Sequence, residues 1–196
     1  MAKIRRDEVV SAALELLDVV GLDGLSTRRL AEKLGVESAT LYWHFRDKSA
    51  LLGEMASLVL ARHHTLEVPE DTADWPAWFA DNARSFRRAL LTYRDGALLH
   101  AGTTPNQDEL ARIVPKVAYL VRAGFSEPDA QMALLAAGQF TLGCVLEEQA
   151  RDTGGASSDT DRNTAAAQPG SAISPIDPDV AFEFGLGLII NGLRNS

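Results

Sequence analysis

The residues best equipped for chemistry near the start of the chain crowd into SATLYWHFRDK at 38–48. Thr40, Tyr42, Trp43 and His44 offer a hydroxyl, a phenol, an indole and an imidazole, while Leu41 and Phe45, four apart, turn inward on a helix. Such a set suits contact with nucleic acid: Tyr42 and Lys48 can bind phosphate, and the Thr40 methyl can pack on thymine. No HExxH, paired-cysteine or nucleophile-elbow spacing accompanies it, so the chemistry implied is recognition, with a metal-dependent hydrolase kept only as a remote alternative.

These side chains need elements to carry them. Leu30, Ala31 and Leu34 mark one face of a first short helix, and Gly35 ends it, because glycine takes the left-handed conformation without steric cost. Val36 re-enters the core and Ser38 is expected to cap a second helix. Two helices, a glycine turn and a polar, aromatic outer face predict a helix-turn-helix whose second helix enters a DNA major groove. An ordinary helical hairpin is the alternative reading. Helices this short need neighbours. Arg5 to Val20 supplies one, with Val9, Ala13, Leu16, Leu17 and Val20 at helical spacing, and Gly21 and Gly24 bracket the turn after it. Lys3, Arg5 and Arg6 make a basic lead-in able to touch phosphate or simply to be solvated.

Charge divides the chain. Residues 1–50 hold eight Lys/Arg and eight acids, whereas the rest holds eleven and nineteen, which accounts for the net charge of −8. A neutral head can approach phosphate, and the acidic body must face away from it. Cys144 is the single cysteine, in FTLGCVL, so it reads as a buried structural thiol in a reducing compartment. No signal peptide is evident. The apolar run Met132 to Leu146, broken by Gln139, is too short to span a bilayer. A cytoplasmic protein without a membrane partner is expected.

The body reads as helices throughout: Lys48 to His64, Trp75 to Tyr93, a short Ala97 to His100, Gln107 to Arg122 and Pro128 to Gln149. From 151 to 179 the composition turns to Gly, Ser, Thr, Asp, Ala and Pro, and a mobile linker is expected. Val180 to Leu193 closes the chain as a strongly apolar helix. It and Met132 to Leu146 would be covered by a dimeric four-helix bundle, or by each other as a buried intrachain pair. The fold expected is all-α, with a three-helix helix-turn-helix domain at 1–47 and a larger helical ligand-binding and dimerisation domain at 48–196.

ALELLDVVGLDGLSTRRLAEKLGVESATLYWHFRDKSALL resembles the DNA-binding domain of the TetR family of transcriptional repressors. RHHT, NARSFRRALL, YRDGALLHAGTTP and FTLGCVLEEQ resemble the body of the tetracycline repressors in that family. At the DNA end the resemblance implies operator contacts from Thr27, Arg28, Thr40, Tyr42, His44 and Lys48, joined by Trp43 on the same face; Arg28 can bond guanine bidentately. Ser38 and Ala39 stand where glutamine and proline are usual at base-reading positions, which predicts a different palindromic operator sequence.

In the body the resemblance implies a small-molecule inducer site at His64, Asn82, Phe86, Thr103, Lys116 and Leu134. It implies a Mg²⁺ chelate held directly by His100 and, through water, by Thr103 and by Glu147 of the second subunit of a homodimer. By residue type alone, His64 and His100 read as hydrogen-bonded histidines near helix ends, Asn82 as a hydrogen-bonder and Phe86 as a core aromatic. Lys116 replaces the usual glutamine and Thr104 an arginine, so a tetracycline-like or other aromatic polyketide is expected as inducer. A regulator sensing an unrelated hydrophobic ligand without metal is the alternative, and a constitutive DNA-binding protein without effector is a third.

Overall fold

The computed structural model describes residues 4–155 and 176–195. Among them the regular elements are all helices: α1 (Arg6–Gly24), α2 (Thr27–Leu34), α3 (Ser38–Leu41), α4 (Lys48–His63), α5 (Trp75–Leu91), α6 (Gly96–Ala101), α7 (Gln107–Arg122), α8 (Glu127–Gly155) and α9 (Pro178–Arg194). The expected all-α class holds, with a helix-turn-helix head and a larger helical body.

In the head, α1 buries Val9, Ala13, Leu14 and Leu17 and is interrupted at Gly21, whose φ of 71° a side chain would disfavour. Ser26 starts α2 by accepting a hydrogen bond from the Arg29 amide, and Gly35 ends it at φ 66°. The second helix departs from expectation at its start: Glu37 is the capping residue, without a side-chain bond, and Ser38 lies one position inside. The helix is brief and gives way to a hydrogen-bonded turn in which the Phe45 amide returns to the Leu41 carbonyl at 3.0 Å. Buried Leu41 and Phe45 pin that turn against Leu30 and Ala31, so packing replaces helix length as the source of rigidity. Arg6 reaches across to the recognition turn and α4, bonding the His44 carbonyl and Glu54, both at 2.9 Å, with its guanidinium 4.6 Å from the Phe45 ring. Arg5 pairs with Glu8, and Lys3 lies outside the described residues. Arg6 is therefore a clasp on the recognition turn.

Helix α4 joins head to body. Asp47 caps it, accepting from the Ala50 amide at 2.8 Å, and the head core runs on along it through Met55, Ala56, Val59 and Leu60 to Ala89 of α5 and Leu99 of α6. A second tie lies at the α5–α6 corner. The Leu22 amide donates to the Asp95 carboxylate at 2.8 Å, and the Arg94 amide donates to Asp18 at 2.9 Å. Asp95 sits at φ 56°, which aspartate tolerates better than most residues. Beside it, a Cβ on Gly96 would stand 2.3 Å from the Leu90 carbonyl oxygen, so only glycine allows α6 to fold back there.

In the body, α5 and α8 form the centre, closed by Tyr119 and Leu120 of α7 and by Phe182 and Leu186 of α9. Alanines at 130, 133 and 137 let α8 approach closely. Arg87 ties three helices by bonding Glu148 at 2.8 Å and Asp179 at 2.6 Å. Cys144 is half-buried and burial pushes its thiol up, in keeping with a structural role.

Two expectations change here. The linker read at 151–179 loses both ends, since α8 continues to Gly155 and α9 begins at Pro178 behind the Asp177 cap; its middle, and the mobility expected of it, lie outside the described residues. The α8–α9 pair is only half covered within the chain. Met132, Leu135, Val180, Phe184 and Leu188 are all at least 50% exposed, so the intrachain-pair reading leaves an apolar face open. The whole helix carrying the Met132–Leu146 run is, over Glu127–Arg151, long and apolar enough by length and composition alone to cross a membrane, but α5, α6, α7 and α9 all pack on it.

Candidate ligand cavity and nucleic-acid face

A cavity of about 330 Å³ opens between the end of α4 and helices α5 to α8. Its walls are mostly apolar, with Leu60, Ile113, Leu134 and Leu142 among them. Polar groups enter from four directions. Asn82 and Phe86 are one turn apart on α5, His64 caps the end of α4, and His100 occupies the last turn of α6. Glu109, Arg112 and Lys116, spaced three and four apart, present one face of α7.

The strongest contact inside is between bases. Lys116 Nζ lies 2.6 Å from His64 Nε2, and His64 Nδ1 lies 3.0 Å from Ser85 Oγ. An ammonium only donates, so Nε2 must accept; the imidazole is neutral and its Nδ1–H donates to Ser85. Burial, followed by the charges of Lys116, Arg112 and Arg88, lowers His64 from 6.5 to about 3. Burial and Arg112 lower Lys116 from 10.5 to about 8. Phe86 stands between two imidazoles, its centroid 5.7 Å from His64 and 5.2 Å from His100. Burial also lowers His100, keeping it neutral and able to ligate. Glu109 is 7% exposed; burial raises its carboxyl, against the pull of Ser57 and Arg112. Three buried polar atoms around the cavity, Asn82 Oδ1, His100 Nδ1 and Arg112 Nη1, have no hydrogen-bond partner among the described residues.

His64, Asn82, Phe86, His100, Lys116 and Leu134 thus line one space. Thr103 stands just beyond, its hydroxyl donating to the His100 carbonyl at 2.9 Å, and Glu147 is exposed and paired with Arg151 at 3.3 Å, away from the cavity of its own chain. Sequence reasoning missed Glu109, Arg112 and Ser85. The first two were signalled by their spacing from Lys116; Ser85 carried no local signal, since only the fold brings it to His64. No group of three or more His, Cys, Asp or Glu able to hold a metal occurs among the described residues. One neutral imidazole does not retain Mg²⁺, which demands oxygen donors. The residues present fit such an ion only when a chelating ligand brings the oxygens.

At the opposite end, the helix-turn-helix displays its functional candidates to solvent. Tyr42 is 58% and Trp43 88% exposed; Arg28, Ser38, Ala39 and Lys48 are exposed, and Thr27, Thr40 and His44 half-buried. Arg28 is held only by Glu32 one turn away, at 3.0 Å. Arg46, equally exposed and paired with Asp47, is a cation on this face that sequence reasoning passed over.

Residues 9–55 match the bacterial regulatory proteins of the tetR family, and residues 68–196 match the tetracyclin repressor-like C-terminal domain. The chain belongs to the TetR family. It is 47% identical over 198 residues to the tetracycline repressor protein class A from transposon 1721 of Escherichia coli, covering 98% of this chain and 92% of that one. The solved structure of TetR class A in complex with anhydrotetracycline and magnesium superposes with a TM-score of 0.80 at 43% identity, covering 98% and 99% of the two chains. ActR of Streptomyces coelicolor, in complex with actinorhodin, gives a TM-score of 0.83 at 29% identity, with 99% and 98% covered. The protein is a TetR-family transcriptional repressor close to the tetracycline repressors, a transcription regulator and not an enzyme.

Proposed function

We propose that this repressor binds a palindromic operator as a homodimer in the cytoplasm and is released by a tetracycline-like or other aromatic polyketide, taken as a Mg²⁺ chelate. The observation that carries this reading is the cavity itself: an aromatic ring between two neutral imidazoles, an unpartnered amide oxygen, and apolar walls sized for a small flat ligand. When bound, the chelated ion neutralises the ligand's oxygens and gives His100 a partner. The chain's own residues do the rest. His100 fixes one end of the ligand, Phe86 stacks on it and Asn82 and His64 bond its polar edge; Thr103 and the Glu147 of a second copy would hold metal-bound water.

Release follows from what touches the cavity. Leu60 and His64 belong to the end of α4, whose other end starts at the DNA face with Lys48, while α6 carries His100 and is tied through Asp95 to Leu22 of the head. A ligand that shifts these helices moves the head at two points and spoils the spacing of paired recognition helices. Emptying an operator this way needs a preference of roughly 5 kcal/mol for the released state. The open face of Met132, Leu135, Phe184 and Leu188 supports pairing with a second copy through a four-helix bundle.

A melting-shift experiment with anhydrotetracycline, with and without Mg²⁺, tests the reading, because native-state binding raises the midpoint. A Mg²⁺-dependent rise that His100→Ala abolishes, accompanied by loss of operator binding, is expected. A rise indifferent to Mg²⁺ would favour the metal-free ligand, and no rise with any aromatic polyketide would refute induction.

A further inference from the structure

The cavity carries more positive charge than its walls neutralise. Arg112 and Lys116 line it together with a single carboxyl, Glu109, which leans on Ser57. Neither cation makes an ion pair among the described residues. Lys116 spends one donor on His64, a neutral acceptor, and among the described residues no carboxylate or carbonyl takes the other two of its three N–H groups. Arg112 reaches Ser57 only at 3.5 Å, and its Nη1 is buried without a partner. A half-buried ammonium and guanidinium on one helix face, with one carboxyl, Glu109, acting on Arg112 and none on Lys116, leave a positive charge in excess that an anion would complete.

We propose that Lys116 and Arg112 make this pocket selective for a ligand bearing a carboxylate, so that the inducer is an aromatic polyketide acid whose anionic group docks against α7. The proposal rests on the inducer-pocket reading above and narrows it to one ligand class. His64 helps by accepting from Lys116, which aims the ammonium without neutralising it. A carboxamide at the same place would bring an acceptor but no charge, and its N–H₂ would oppose two cationic donors. Lys116 feels burial and the charge of Arg112 on its own helix, while His64, which accepts from it, feels Lys116, Arg112 and Arg88 of α5. The lowering of the ammonium from 10.5 to about 8, by burial and by Arg112, agrees with a charge left uncompensated, and a bound carboxylate would oppose it.

The test is titration of the full-length protein by tryptophan fluorescence with rhein, a dihydroxyanthraquinone carboxylic acid, and with its carboxamide and methyl ester, all with Mg²⁺ present. Rhein should bind about ten-fold or more tightly than the two uncharged compounds, as a charge-assisted contact in an apolar site requires. In Lys116→Gln and Lys116→Met, each checked for an unchanged fold by circular dichroism, that preference should fall at least several-fold, while uncharged compounds bind as well as or better than before. Equal or tighter binding of the carboxamide by the wild-type protein overturns the proposal and leaves the pocket reading intact. Failure of rhein, its derivatives and anhydrotetracycline alike overturns both. Rhein preference that survives in both variants also overturns it, since the charge would then be read elsewhere.

Discussion

The head and the cavity use polar side chains in opposite ways. In the head the interior is apolar and complete: Leu14, Leu17, Leu30 and Met55 are at most 1% exposed, and Arg28, Tyr42, Trp43 and Lys48 stand outside it in water. In the body the functional groups are themselves buried or half-buried. His64, Lys116 and Glu109 have their protonation displaced by that burial, and Asn82, His100 and Arg112 keep unpartnered atoms. An exposed surface costs the fold little and can change its reading of a partner freely. A buried polar cavity holds back stability that a ligand restores on binding, which is what makes it a sensor.

Substitutions can break this comparison. Leu30→Ala, at a fully buried head position, should lower stability by about 2–5 kcal/mol in urea unfolding. Leu134→Ala, on a wall that already faces empty volume, should cost clearly less; equal losses would mean that the cavity is packed like a core. Next in size, Gly96→Ala drives a Cβ into the Leu90 carbonyl and should cost about 1–3 kcal/mol, with operator affinity weakened too because the Asp95 tie shifts. Arg28→Ala should leave the melting midpoint unchanged yet weaken operator binding by about 1–3 kcal/mol in a gel-shift titration. A midpoint that falls would put Arg28 in the fold instead of the reading surface.

The remaining effects are pH-dependent. His64 has a native value of about 3 against 6.5, so on acidification from pH 6.5 to 3 the unfolded state takes a proton that the native state refuses, and stability is lost. His64→Asn should therefore flatten that part of the stability profile relative to wild type. Lys116 has the same sign in a higher window. Its cost is present below about 8 and is relieved as pH rises from 8 to 10.5, where the native state sheds its proton first. Lys116→Met should be more stable than wild type at neutral pH, with the advantage vanishing above 10.5; no advantage at any pH would mean the ammonium is better compensated than its surroundings indicate.

Periodicity made most of the architecture legible. The two greasy helices, the glycine stop at Gly35 and the bounds of α7 follow from spacing, because helix and turn propensities act over a few residues. Local rules failed where tertiary contacts overrode them. Ser38 has the side chain of a cap but sits inside its helix, and Arg6 has the charge of a phosphate contact but clasps Phe45 and Glu54. The site divides the same way. His64, Asn82, Phe86 and His100 were named through resemblance, while the Ser85 contact and the unpartnered Nη1 of Arg112 were visible only once α4, α5 and α7 had met.

The sequence by itself determined an all-helical chain with a neutral head, an acidic body and a glycine-stopped recognition motif, since each of these depends on neighbours a few residues apart or on summed charge. Only the tertiary structure decided that Lys116 faces His64 instead of a carboxylate, that Asp95 reaches back to Leu22, and that half of the α8–α9 surface stays bare. Those depend on residues some 50 to 70 positions apart, and burial, which sets their energies, has no value until the chain has closed around them.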